Sequence, residues 1–172
     1  MEVNKMIQLS QKERFLLEDL KNQEEICVAK YKYYSEQTQD TQLKQLLSSI
    51  STEEQHHYDM VNQMLQGQEP NMSHPQQPQQ SQQQQSQQQQ GQQQQGQQQQ
   101  GGMFAKGSAN DKIRCNDLLS TEKYVSGAYD TTIFEAVNPT VRQALQHIQK
   151  DEQQHGEKVF QYMQSHGMYQ VH

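Results

Sequence analysis

Apolar residues recur at steps of three and four in four separate stretches of the chain, the rhythm of one face of an α-helix. The first stripe runs Leu17, Leu20, Glu24, Cys27, Tyr31, Tyr34 and follows Ser10-Gln-Lys-Glu13, a capping-box pattern. A polar break at Gln37-Thr-Gln-Asp40 separates it from Leu43, Leu47, Ile50, Glu54, His57, Val61, Met64, and Gly67 and Pro70 end that second helix. A third stripe is Leu118, Glu122, Val125, Tyr129, Thr132. Asn138-Pro139 then supplies an N-cap and a first-turn proline for a fourth, Val141, Leu145, Ile148, Glu152, His155, Val159, Tyr162. No stretch alternates as a strand requires, so the pattern predicts an all-α protein, a bundle of four helices.

The two helical pairs repeat each other. A shift of 98 residues aligns Asp19–Leu65 with Asp117–Met163 without a gap, identical at twelve of 47 positions. The identities include Leu20/Leu118, Glu24/Glu122, Tyr31/Tyr129, Ile50/Ile148, Glu54/Glu152, His57/His155 and Val61/Val159. A single hairpin cannot bury both its apolar faces, so the two are expected to pack on each other about a pseudo-twofold axis. This divides the chain into a first hairpin at 5–66, a linker at 67–110 and a second hairpin at 111–166.

Composition explains the linker. Twenty of the 25 residues from 76 to 100 are Gln and the rest are Pro, Ser and Gly; with nothing apolar to bury, the tract cannot offset its conformational entropy and is expected to be a disordered tether, or a segment that self-associates through its amides. A formal charge of −6 argues against nucleic acid or an anionic membrane as a partner. No apolar run reaches the roughly 18 residues of a membrane span, and Met1–Asp19 lacks the apolar core of a signal peptide, so retention inside a cell is expected. Two cysteines, Cys27 and Cys115, are too few for a disulfide scaffold and read as free thiols. No phosphate-binding loop, nucleophile elbow or HExxH is present.

The chemistry lies in the charged residues that interrupt the stripes. Glu24, Glu54, Glu122 and Glu152, with His57 and His155, stand where the rhythm calls for hydrophobes. Glu25, Glu53, His56 and Asp151 lie about 100° further round and are expected to reach solvent. Each unpaired buried carboxylate costs several kcal/mol, so four together would unfold a domain stable by about 5–15 kcal/mol. Two divalent cations would neutralise four carboxylates, with two imidazoles completing the shells; one Glu from each of two helices plus Glu-x-x-His from each of the other two is the di-iron or di-manganese pattern of helical bundles. The other reading is a metal-free network of protonated Glu and Glu–His hydrogen bonds. Tyr31 and Tyr129, two turns beyond Glu24 and Glu122, are candidates to hydrogen-bond ligand carboxylates or simply to fill the core. Cys27 reads as a buried thiol, and His56, His74, His147, His166 and His172 as surface residues.

This arrangement resembles the ferritin-like superfamily, in particular rubrerythrin-type di-iron bundles. The resemblance implies a long crossover between the second and third helices and metal ligation by Glu24, Glu54, His57, Glu122, Glu152 and His155. Val125 stands where rubrerythrins carry a further carboxylate. The second half is similar to the spore coat protein F family through Asn116-Asp-Leu-Leu-Ser-Thr-Glu-Lys123, Asn138-Pro-Thr-Val-Arg142, His147-Ile-Gln-Lys-Asp-Glu-Gln-Gln-His155 and Tyr162-Met-Gln-Ser-His-Gly-Met-Tyr169. That likeness implies synthesis in the mother cell and deposition in the spore coat, with other coat proteins or the chain itself as partners. Abundant Gln, eight Tyr and several Lys would suit cross-linking. The competing expectation is an iron or manganese oxidoreductase acting on peroxide or oxygen; metal storage is a third.

Overall fold

A computed structural model describes residues 6–73 and 108–171; the Gln-rich tract, His74 and His172 lie outside the described residues. Four helices and no strand are found among them: α1 (Gln11–Gln37), α2 (Thr41–Leu65), α3 (Ala109–Glu135) and α4 (Pro139–Ser165). None is long and apolar enough to cross a membrane.

Each helix starts where its sequence offers an oxygen to the free N–H groups of the first turn. The Ser10 hydroxyl accepts from Glu13 N, and Glu13 Oε2 accepts from Ser10 N at 2.8 Å, closing the capping box. Asp40 accepts from Leu43 N, Ser108 from Asp111 N, and Asn138 from Thr140 N and Val141 N with Pro139 opening the helix. Ser108 and Asp111 are the repeat mates of Ser10 and Glu13, so the duplication extends upstream of the stretch aligned above. Gly67 and Gly167 take φ of +77° and +67°, the left-handed turn that lets Gln68 N and Met168 N reach back to Gln63 and Met163 carbonyls.

Short loops make α1–α2 and α3–α4 antiparallel hairpins. Across hairpins α1 packs on α3 and α2 on α4. Tyr31 meets Glu122 while Tyr129 meets Glu24, and His57 meets Asp151 while His155 meets Glu53; both interfaces are therefore antiparallel and related by the pseudo-twofold. The direction of travel follows: α2 and α3 run the same way, so Leu65 and Ala109 lie at opposite ends of a bundle about 37 Å long.

The apolar interior is split in two. Leu17, Leu20, Met60, Val61, Val141, Leu145 and Ile148 form one cluster; Leu43, Leu47, Ile50, Cys115, Leu118, Val159 and Tyr162 form the other. Each is the repeat mate of the other: Leu43, Leu47 and Ile50 correspond to Val141, Leu145 and Ile148. Between them sits the polar layer.

Candidate metal centre

Glu24, Glu54, Glu152 and His155 have no solvent exposure, His57 has 1% and Glu122 has 3%. One ligand-type atom from each of Glu54, His57, Glu152 and His155 lies within 4.8 Å of all the others, so these four could hold a metal ion. The helical i, i+3 spacing places each Glu and His of an ExxH pair one turn apart on the same face, and the antiparallel α2–α4 contact brings the two pairs together. The rings of His57 and His155 stack with centroids 5.5 Å apart. His57 Nδ1 is 2.9 Å from Glu152 Oε1, 3.3 Å from Glu54 Oε2 and 3.9 Å from Glu24 Oε2. His155 Nδ1 is 3.1 Å from Glu54 Oε1 and 3.9 Å from Glu152 Oε2.

Both Nδ1 atoms thus face the carboxylates, and the reason lies behind the rings. His57 Nε2 is 3.4 Å from Asp151 Oδ2, and His155 Nε2 is 2.9 Å from Glu53 Oε2. A carboxylate bonded to the outer ring nitrogen fixes the ring and leaves the inner nitrogen as the ligand atom. Lys158 Nζ in turn holds Glu53 at 2.9 Å, and His147 Nε2 lies 3.6 Å from Asp151. Glu53 and Asp151 were expected to reach solvent, and this expectation is corrected: Asp151 is 6% exposed and Glu53 is half-buried. The residue before each ExxH turns toward the facing helix, Glu53 onto His155 and Asp151 onto His57. The readable signal was an acid immediately before ExxH in both repeats, Glu53-Glu54 and Asp151-Glu152.

The outer carboxylates are held differently. The Tyr31 hydroxyl donates to Glu122 Oε1 and the Tyr129 hydroxyl to Glu24 Oε1, each across the hairpin interface. The same two rings fill the core, so each tyrosine both packs and hydrogen-bonds a glutamate of the polar layer. Glu25 is exposed, as expected, while His56 and His147 are half-buried. His166 is buried instead of exposed: it caps α4, stacks on Tyr162 at 4.0 Å, and Met168 folds back beside this end of the bundle. Cys27 and Cys115 are free and buried; burial pushes the Cys115 thiol up to about 12 and, with the charge of Glu54, raises Cys27 as well, so neither is a reactive thiolate.

Electrostatics follow from crowding. Burial, then the charge of Glu54, raises Glu24 well above the usual carboxylate range; burial, then Glu152, does the same to Glu122. Burial with Glu54 and Glu24 nearby brings Glu152 to about 7. Burial alone would raise Glu54, but hydrogen bonds from His155 and His57 outweigh it and hold this carboxylate low. Burial would likewise lower the imidazoles, yet Asp151, Glu152 and Glu54 raise His57, and Glu53 and Glu54 carry His155 to about 10. Both imidazoles, Glu24 and Glu122 are thus shifted toward their protonated forms, which lessens the negative charge of the layer.

The donor set fits divalent cations. Glu24 Oε2, Glu122 Oε2 and both oxygens of Glu152 are buried and accept no hydrogen bond, although Glu152 Oε1 is at ion-pair distance from His57. Buried acceptors are ordinarily satisfied, and carboxylate oxygens with imidazole nitrogens are the ligands of iron and manganese. A cleft of about 690 Å³ between α3 and α4 has Glu122 and Glu152 in its lining beside Gly127, Gly156 and Phe160, while their free carboxylate oxygens stay buried.

No curated protein and no solved structure matches the chain. Residues 110–172 match the family model of the Coat F domain, which supports a spore coat family for the second hairpin.

Proposed function

We propose that this chain is a spore coat component whose bundle is ferritin-like and holds a pair of divalent cations, iron or manganese, on Glu24, Glu54, His57, Glu122, Glu152 and His155. The observation that carries the metal reading is the reciprocal placement of the two imidazoles. Each turns Nδ1 into the carboxylate layer because the acid preceding the other ExxH pair holds its Nε2. Each outer glutamate takes one tyrosine hydroxyl on Oε1, and no donor reaches its Oε2. Tyr31 and Tyr129 orient those glutamates from the side. The travel of α2 and α3 in one direction supports the ferritin-like reading, since it calls for the long crossover of that superfamily. The Coat F match supports the coat assignment; mother-cell synthesis and association with other coat proteins or with itself follow from that assignment.

Bound metal would supply charge neutralisation and Lewis acidity. The cleft whose lining includes Glu122 and Glu152 suits a second reading, an oxidoreductase acting on peroxide or oxygen. One experiment tests both: metal analysis of full-length protein purified without chelator, followed by peroxide turnover. About two iron or manganese per chain without turnover is the expected result. Metal with rapid turnover would support the enzyme, and absence of metal binding at neutral pH would overturn both.

A further inference from the structure

The exteriors of the two hairpins have diverged in one place and not in another. In the groove between α1 and α2, Lys21 donates to Asn62 Oδ1 at 2.8 Å and its ammonium lies 5.3 Å from the centre of the Tyr58 ring. The repeat mates of these three are Leu119, Gly156 and Phe160. The face that α1 and α3 present together keeps its character. Its repeat mates Phe15/Ile113 and Ile26/Tyr124 are all large and all exposed, with Tyr33 and Phe134 alongside. Among the described residues, every exposed large apolar or aromatic side chain carried by a helix is one of these six, and α2 and α4 carry none.

Spacing puts them on one face. Phe15, Ile26 and Tyr33 follow one another at three turns and two, and Ile113 and Tyr124 are three turns apart. Lys12, one turn from Phe15, pairs with Glu135 at 2.5 Å; Lys30, one turn from both Ile26 and Tyr33, pairs with Asp117 at 3.1 Å, and Asp117 is one turn from Ile113. The stripes therefore border the seam between α1 and α3 from both sides. Ile26 and Tyr124 both fall between the Tyr31–Glu122 and Glu24–Tyr129 contacts, so they stand at mid-length, one on each side of the pseudo-twofold axis.

Around this pair charge is scarce. Of the eight residues three or four positions from them, only Lys30 is charged, and Asp117 and Thr121 hold it. Ala29, Gly127 and Ala128 are small, and a Cβ at Gly127 would meet nothing within 4 Å. Charges return toward the ends, with Lys12, Glu18 and Asp19 around Phe15 and Glu36 beside Tyr33. An aromatic and apolar centre inside a charged rim is the anatomy of a protein–protein interface. The area suffices as well. With 51–82% of each side chain exposed and about 200 Å² offered by a large side chain, the six present roughly 700 Å², close to the ~800 Å² per partner of a standard interface.

We propose that the α1–α3 face is a homodimer interface, on which a second copy of this chain docks about a twofold axis with the two Ile26–Tyr124 pairs at its centre. A twofold lying in the face brings the centre of one copy onto the centre of the other, as a closed dimer requires when the same patch serves both subunits. The large side chains of one copy then meet the hollows at Ala29 and Gly127 of the other. The interface gives a surface to the self-association proposed above and rests on that reading for the choice of a like partner; it makes no use of the metal.

The test is sedimentation velocity of the full-length protein, with helicity and metal content measured on the same samples. Wild type is expected to sediment as a dimer at micromolar concentration. Ile26→Glu with Tyr124→Glu should raise the dimer dissociation constant by about a hundredfold or more, because like charges would face each other in a dry centre. Helicity and metal content should not change, since both side chains point away from the core. Ile26→Leu with Tyr124→Phe should remain dimeric, and so should Gln45→Glu with Gln143→Glu, which adds the same charge to exposed repeat mates on α2 and α4. A dimer that survives Ile26→Glu with Tyr124→Glu would overturn the proposed surface and leave self-association to another segment, such as the Gln-rich tract. A monomeric wild type would overturn the surface and the self-association together. Loss of the dimer as expected, in protein that holds no metal, would support the interface and overturn the metal reading alone.

Discussion

The two hairpins keep the same interior and present different exteriors. Glu24/Glu122, Tyr31/Tyr129, Glu54/Glu152 and His57/His155 are identical and occupy pseudo-symmetric places, and the acid behind each imidazole differs only by a methylene, Glu53 against Asp151. On the outer face, Lys21, Tyr58 and Asn62 give way to Leu119, Gly156 and Phe160. At the caps Glu13 and Asp111 also differ in reach. Glu13 Oε1 accepts from Val137 N and Asn138 N of the other hairpin, both at 2.8 Å. Asp111, one methylene shorter, is held by Arg114 at 2.7 Å and by Ser108 within its own helix. The buried layer is constrained because a change to any member strands the charge of another. The grooves and caps carry no such mutual dependence, and there the halves have parted.

The strongest way to break this comparison removes one inner carboxylate from each hairpin. Glu54→Ala with Glu152→Ala should abolish metal binding and with it the metal-dependent rise in melting temperature. In wild type that rise corresponds to about 2.7 kcal/mol at free metal one hundred times Kd, and thermal melts with and without added Mn²⁺ measure it. A mutant that melts higher than wild type and keeps no metal response would mark the layer as a charge defect.

Next in size is the effect of pH on the two acidic regions. Protons and cations compete for the central layer: His57, His155, Glu24 and Glu122 are all shifted toward their protonated forms. Binding must release those protons, so affinity should fall as pH drops from about 8 to 6, as equilibrium dialysis would measure. Glu13 has the opposite sign. Burial would raise it, but backbone N–H bonds from Asn138, Ser10 and Val137 prevail and lower it below 4.5. Its stabilisation is full above the unfolded value and is lost as pH falls through the folded one. Denaturant melts should therefore show Glu13→Gln costing about 1.5–3 kcal/mol at neutral pH and little in acid, with Asp111→Asn costing about 1 kcal/mol as a local cap.

The helices, the caps at Ser10 and Asn138 and the six interrupting residues were legible because helical periodicity and capping patterns depend only on sequence spacing. Glu53 and Asp151 were not, because their partners lie on another helix more than ninety residues away. His166 was misplaced for a related reason: its burial comes from the turn at Gly167 returning Met168 to the bundle end, which no stripe encodes. The cleft had a trace in the sequence, the mismatch of Tyr58 with Gly156, but its depth depends on the separation of α3 from α4.

The smallest expected effect sharpens the groove contrast. Gly156→Ala introduces a methyl at ordinary contact distance from Glu122 in a helix interior, and should stabilise by up to about 1 kcal/mol. Tyr58→Gly should destabilise by more than that, since it adds the glycine penalty to the loss of the Lys21 contact. Chemical denaturation of the pair checks both signs.

The most direct measurement is anomalous diffraction from crystals of the full-length protein loaded with Co²⁺. Two adjacent peaks among the Glu54, His57, Glu152 and His155 side chains, flanked by Glu24 and Glu122, are the predicted result. Cobalt found only on surface carboxylates, with the six inner groups still bonded to one another, would contradict it.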